Sequence, residues 1–107
     1  MSIKSASTFR LDIFIAGDHA VAKHICREYC LEVGLCVTVE KVDYIYTGGE
    51  EAGVRVGLIN YPRFPVDALE LENKAYSLAQ KLMIGLCQHS FTIAGPEKTE
   101  WFTRREI

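Results

Sequence analysis

Val66 to Gln88, VDALELENKAYSLAQKLMIGLCQ, is the stretch on which the fold turns. Asp67 stands where an N-cap belongs, and Glu70, three residues on, completes the pattern of a capping box. Val66 and Leu71 occupy the positions of a hydrophobic staple. Leu71, Ala75, Leu78, Ala79, Leu82 and Leu86 then recur with the period of one buried helix face. Glu70, Glu72, Lys74 and Lys81 keep largely clear of that stripe. A helix with one apolar face must lie on something, and the flanking segments supply a sheet.

Upstream, Thr8 to Ala16 alternates, with Phe9, Leu11, Ile13 and Ile15 on one side, as in a strand with one buried face. Gly17-Asp18 ends it and opens a helix with Asp18 as N-cap. Val21, Ile25, Cys26, Tyr29, Cys30 and Val33 form that helix's apolar face, and Gly34 is its natural stop. Leu35 to Thr47 is rich in strand formers. Its alternation changes phase near Lys41, from Val37 and Val39 to Val42, Tyr44 and Tyr46, which predicts a bulge. Thr47 to Gly53 reads as a hairpin loop and Val54 to Tyr61 as a third strand, ended by Pro62 and Pro65. Beyond the organising helix, Phe91 to Ala94 is a fourth strand. Lys98 to Arg104 is either a short fifth strand carrying Trp101 and Phe102 or an ordered tail.

The order β-α-β-β-α-β is most simply solved by the ferredoxin-like plait, an antiparallel four-stranded sheet with two helices on one face. At 107 residues the chain is expected to form a single α+β domain, with 1–7 and 105–107 frayed. No stretch carries the signature of a particular family, and the plait hosts many functions.

Composition weighs against some of them. A net charge of −2 gives no electrostatic case for nucleic acid, and none is expected as a partner. No apolar run approaches the roughly 20 residues of a membrane span. The short polar start resembles no signal peptide, so a cytoplasmic location and reduced cysteines are expected. His24, Cys26, Cys30 and Cys36 lack the paired spacing of a zinc site, and the cysteines read as packing residues, with Cys26, Cys30 and Cys87 on or beside the apolar helix faces. No metal site and no cofactor are assigned.

The topology gathers scattered polar groups at two poles. One would hold Asp18, His19, Glu50, Glu51, His89 and Ser90, the residue types of acid–base or divalent-metal chemistry. Gly48-Gly49 in the hairpin invites a phosphate, but Glu50 and Glu51 follow at once and would repel it. The other pole holds Tyr61-Pro62-Arg63-Phe64-Pro65, where two prolines stiffen a loop that presents aromatic and guanidinium groups.

Three functional readings follow. The first is a small binding protein, leaning away from an enzyme. It would recognise a small anionic, nucleotide-like molecule or a protein through Tyr61, Arg63 and Phe64. The second is a small enzyme using His19 or His89 with Glu50 or Glu51, with or without a divalent metal. The third is an interaction or inhibitory module without a ligand pocket. Phe14, Ile59 and Tyr61 on the uncovered sheet face, with Trp101 and Phe102 beyond the four-strand core, favour self-association as a homodimer.

Overall fold

The computed structural model describes residues 1–105. It contains β1 (Arg10–Ala16), α1 (His19–Val33), β2 (Thr38–Tyr46), β3 (Gly49–Ile59), α2 (Ala68–Gly85), β4 (Ser90–Ala94) and β5 (Thr99–Thr103). The sheet order is β2-β3-β1-β4-β5, and every adjacent pair is antiparallel. This is the plait expected from the sequence, extended by the fifth strand. Of the expected frayed ends, residues 106 and 107 lie outside the described residues, while Ser7 is tied by its carbonyl, which accepts from Asn60 Nδ2 at 2.8 Å.

Both helices begin where their caps predict. The Asp18 carboxylate accepts from the Val21 N–H at 3.0 Å, and that of Asp67 accepts from the Glu70 N–H at 2.8 Å. The return half of the capping box is replaced, because the Glu70 carboxylate lies 3.8 Å from Lys74 Nζ instead. Leu71, Ala75, Leu78, Ala79 and Leu82 are the buried stripe of α2, as their spacing requires. They pack with Leu11, Ile13 and Ile15 of β1, Val54, Val56 and Leu58 of β3, and Ala22, Cys26 and Tyr29 of α1. Among the described residues no helix is long and apolar enough to cross a membrane.

The β2–β3 hairpin departs from expectation. There is no bulge: the register runs unbroken from Thr38 opposite Gly57 to Tyr46 opposite Gly49. The turn is Thr47-Gly48 alone, with Gly48 at φ 90°, and residues read as loop belong to β3. The phase change near Lys41 has another cause. Val39 pairs with Val56 on the helix-covered face, whereas Val42 and Tyr44 lie on the opposite face, and α1 covers only the first part of β2. One continuous strand thus has its less exposed side on different faces at its two ends.

Pairing with β1 stops at Ala16–Gly53, so the segment from Asp43 to Ala52 projects as a two-stranded arm. Its four further residue pairs add about 13 Å of strand, consistent with a molecule 50 Å long but only 28 and 24 Å across. Tyr44 pins the root of this arm. Its hydroxyl accepts from the Ile15 N–H at 3.1 Å and donates to the Val54 carbonyl at 2.5 Å, with its ring lying where a side chain at Gly53 would stand.

The C-terminal alternatives are resolved as a strand. Phe102 sits on the helix side of β5, its ring 5.0 Å from that of Phe91 and 5.1 Å from that of Tyr76. Trp101 points to the other face beside Thr92 and remains half exposed.

Candidate functional site

The geometry assembles the histidine–carboxylate pole only in part. His19 lines a cavity under α1 on the helix side of the sheet, whereas Glu51 and Ser90 line a small one on the opposite side with Phe14, Tyr44, Gln88 and Trp101. Glu50 and Glu51 ride on the projecting arm, and His89 lies exposed just before β4. Among the described residues no three histidine, cysteine or carboxylate side chains are arranged to hold a metal ion.

The second pole is partly assembled. The Tyr61 and Phe64 rings stand 5.5 Å apart and line an apolar cavity of about 480 Å³ with Cys36, Ile59 and Leu71. Hydrogen bonding with Cys36 and burial hold the Tyr61 proton above its ordinary range. Arg63 is exposed and does not line this cavity; Lys74 is the cation that does. Asn60 stiffens the loop, its Oδ1 accepting from the Val66 N–H at 3.0 Å.

The cysteines divide. Cys26 is buried in the core, and its thiol is pushed up to about 12 by burial, reinforced by neighbouring Cys30. Cys36 and Cys87 are exposed, so the packing role holds for Cys26 and does not extend to them.

A richer site was not singled out by the sequence. The helix α2 covers β1 and β4 but not β5, which leaves a trough between its flank and the β4–β5 hairpin. This cavity is about 590 Å³, within the range of small-molecule sites. Ala68, Glu72 and Tyr76, each four residues apart, form its helical wall with Asn73. Phe9 and Leu11 close one end, while Ile93, Glu100 and Phe102 form the strand wall. The turn from Gly95 to Lys98 closes the rim, with the Gly95 N–H bonded to the Lys98 carbonyl at 2.9 Å. Lys98 Nζ lies 3.6 Å from the Glu100 carboxylate, and the Tyr76 hydroxyl accepts from Gln80 Nε2 at 3.1 Å.

Three aromatic rings and three carboxylates (Glu72, Glu97 and Glu100) thus share one concave surface with a single lysine. Rings offer a flat apolar body a stacking surface, and carboxylates with ring faces attract a cation. Sequence reasoning placed Glu72 on the wet side of α2, which is correct for an isolated helix. Only the docking of β5 makes that flank a wall.

No protein-family profile and no curated protein matches the sequence. Solved structures do match in fold. A phage SAM lyase in its apo state superposes with a TM-score of 0.72 at 16% identity, over 92% of this chain and 91% of that one. A phage SAM lyase in complex with S-methyl-5'-thioadenosine superposes with a TM-score of 0.69 at 13% identity, over 99% of this chain and 98% of that one. The shared feature is the fold. The expectation of a binding protein leaning away from catalysis is corrected on this ground, because the fold is shared over more than 90% of each chain with solved SAM lyases.

Proposed function

We propose that this chain is an enzyme that cleaves S-adenosylmethionine as a lyase, releasing S-methyl-5'-thioadenosine. The observation that carries the reading is the extent of the likeness, above 90% of both chains in each case, to two solved phage SAM lyase structures, one in its apo state and one in complex with S-methyl-5'-thioadenosine. The site we assign is the trough beside α2, because its chemistry suits the substrate. A sulfonium cation calls for carboxylates and ring faces, and Glu72, Glu97 and Glu100 with Phe9, Tyr76 and Phe102 provide both. Tyr76 and Phe102, tilted against each other, each offer the adenine a ring face, while Asn73 supplies amide donors and acceptors for its edge.

The chemistry balances without water. The Cγ–S bond breaks with its electron pair going to sulfur, which leaves as a neutral thioether. The methionyl carboxylate can supply the new pair at Cγ, closing a five-membered lactone, or a base can take a Cβ proton to leave an alkene. In the first route an anion and a cation are consumed together. Such a step gains from a site that excludes water, since solvation favours the separated charges. Holding the chain folded for ring closure adds the orientation term. This route requires no general base, which suits a trough without histidine.

The test is incubation of purified protein with S-adenosylmethionine, with products followed by liquid chromatography and mass spectrometry. Protein-dependent release of S-methyl-5'-thioadenosine, with a lactone or an alkene as co-product, is the expected result. Folded protein that gives no more than the spontaneous rate overturns the proposal. Incorporation of oxygen from labelled water at the Cγ hydroxyl would identify a hydrolase instead.

A further inference from the structure

On the other side of the fold, α1 carries His19, Lys23 and Arg27 four residues apart, in one line along the helix. All three line a groove of about 630 Å³ between α1 and the first part of β2. Its floor includes Leu35, Val37 and Val39, and among the described residues no carboxylate lines it. In a chain whose net charge is −2, this is a local excess of positive charge.

The groove runs beside an open edge. The strand β2 is the last in the sheet order, so among the described residues its outer side has no neighbouring strand. Tyr46 and Gly49 flank a two-residue turn and exchange hydrogen bonds, as such turns require. Alternation along an antiparallel ladder then turns the backbone N–H and C=O groups of Ile45, Asp43, Lys41 and Val39 toward the free edge. Lys41 follows Val39 on the helix side of the strand and extends the positive rim. Asp43, the next residue on that side, already belongs to the projecting arm.

We propose that this edge and groove bind an extended acidic segment of a partner protein as an added strand along β2. Its backbone would pair with β2, as in other cases of strand addition. Alternate glutamates on its helix side would lay their methylenes over Val37 and Val39 and their carboxylates against Lys23 and Arg27. A single-stranded nucleic acid fits less well, because no aromatic ring lines the groove to stack a base. The proposal does not depend on the catalytic assignment, which concerns the opposite flank of the sheet.

The test is fluorescence anisotropy at low salt with a labelled octapeptide of alternating threonine and glutamate. The controls are an alternating threonine–lysine octapeptide, a glutamate peptide N-methylated at alternate residues, and a labelled oligothymidine. The acidic peptide is expected to bind at least tenfold tighter than all three controls. The double variant Lys23→Glu/Arg27→Glu should lose at least tenfold in affinity. Lys41→Pro, which removes one edge N–H at a position where proline is tolerated, should lose as much. Three results overturn the proposal: no affinity for the acidic peptide, tighter binding of oligothymidine, or equal binding of the N-methylated and unmodified peptides. The N-methylated control acts on the probe alone, so it decides the matter even where a protein variant misfolds.

Discussion

Replacing Tyr44 with phenylalanine removes one oxygen atom from the root of the β2–β3 arm. In the native fold that oxygen serves two backbone groups at once, accepting from the Ile15 N–H at 3.1 Å and donating to the Val54 carbonyl at 2.5 Å. Ile15 is 3% exposed and Val54 fully buried, so water does not readily replace the hydroxyl. A net hydrogen bond is worth about 1 kcal/mol, and a buried group left unpaired costs about 1–3 kcal/mol. Ile15 faces Val54 in the register, so a small closure of the two strands can recover part of the loss. The ring itself stays and still fills the space over Gly53. The expected destabilisation is therefore about 2 kcal/mol, which for a domain of this size lowers the melting temperature by about 9 °C.

The assay is urea unfolding followed by the fluorescence of Trp101, with Tyr46→Phe as the control. Tyr46 lies two residues along the same strand, is exposed, and is expected to change stability by less than about 0.5 kcal/mol on losing its hydroxyl. Hydrogen exchange adds a local reading: the Ile15 amide should lose protection in the Tyr44 variant more than amides of α2 do. Equal midpoints for the two variants, or an unchanged Ile15 amide, would refute the bridging role.

Asp67→Ala removes the cap of α2 and should lower stability by about 1 kcal/mol, read from the same urea transition, whereas Asp67→Asn should retain most of it. The Cys26 thiol is raised by burial from 9.0 to about 12. The unfolded chain therefore ionises first, and the Cys26 contribution to stability is intact below pH 9 and lost as pH climbs from 9 toward about 12. Cys26→Ala should flatten that part of the pH–stability curve, and a thiol reagent at neutral pH should label Cys36 and Cys87 well before Cys26. If the trough beside α2 holds the sulfonium substrate, Glu72→Gln should cut kcat/KM about tenfold or more, since it removes the charge from a group paired with a cation. Glu28→Gln, on the far helix, should leave turnover unchanged; equal loss in both variants would remove the trough from consideration.

The elements that the sequence made legible are those whose signals are local. Asp18 and Asp67 announce their helices because a cap needs only its own next three residues. The α2 stripe is legible because one periodic face suffices to imply a buried surface. The Thr47-Gly48 turn was harder, since Gly49 and Gly53 look like loop residues until a tyrosine ring is known to lie across the second of them. The phase change in β2 was visible, yet its meaning depended on how far along the strand α1 reaches, which periodicity does not encode.

The trough is a stronger instance of the same limit. Glu72 and Tyr76 sit on a helix flank that would face water if the sheet ended at β4. Phe102 supplies the missing wall only because β5 pairs with β4 and sets its ring against Tyr76. The first pole inferred from topology assembled only in part for a related reason. It assumed that loops at one end of a plait converge; Glu51 does meet Ser90, but the sheet itself divides them from His19. A site built from the flanks of elements follows from their relative placement, so neither residue spacing nor loop composition signals it in advance. Under the proposed lyase reading, the absence of a motif is understandable. A reaction whose nucleophile is the substrate's own carboxylate needs a shaped, water-poor surface with a few charges around it, and aromatic and acidic residues on such a surface are individually indistinguishable from ordinary packing and solvation.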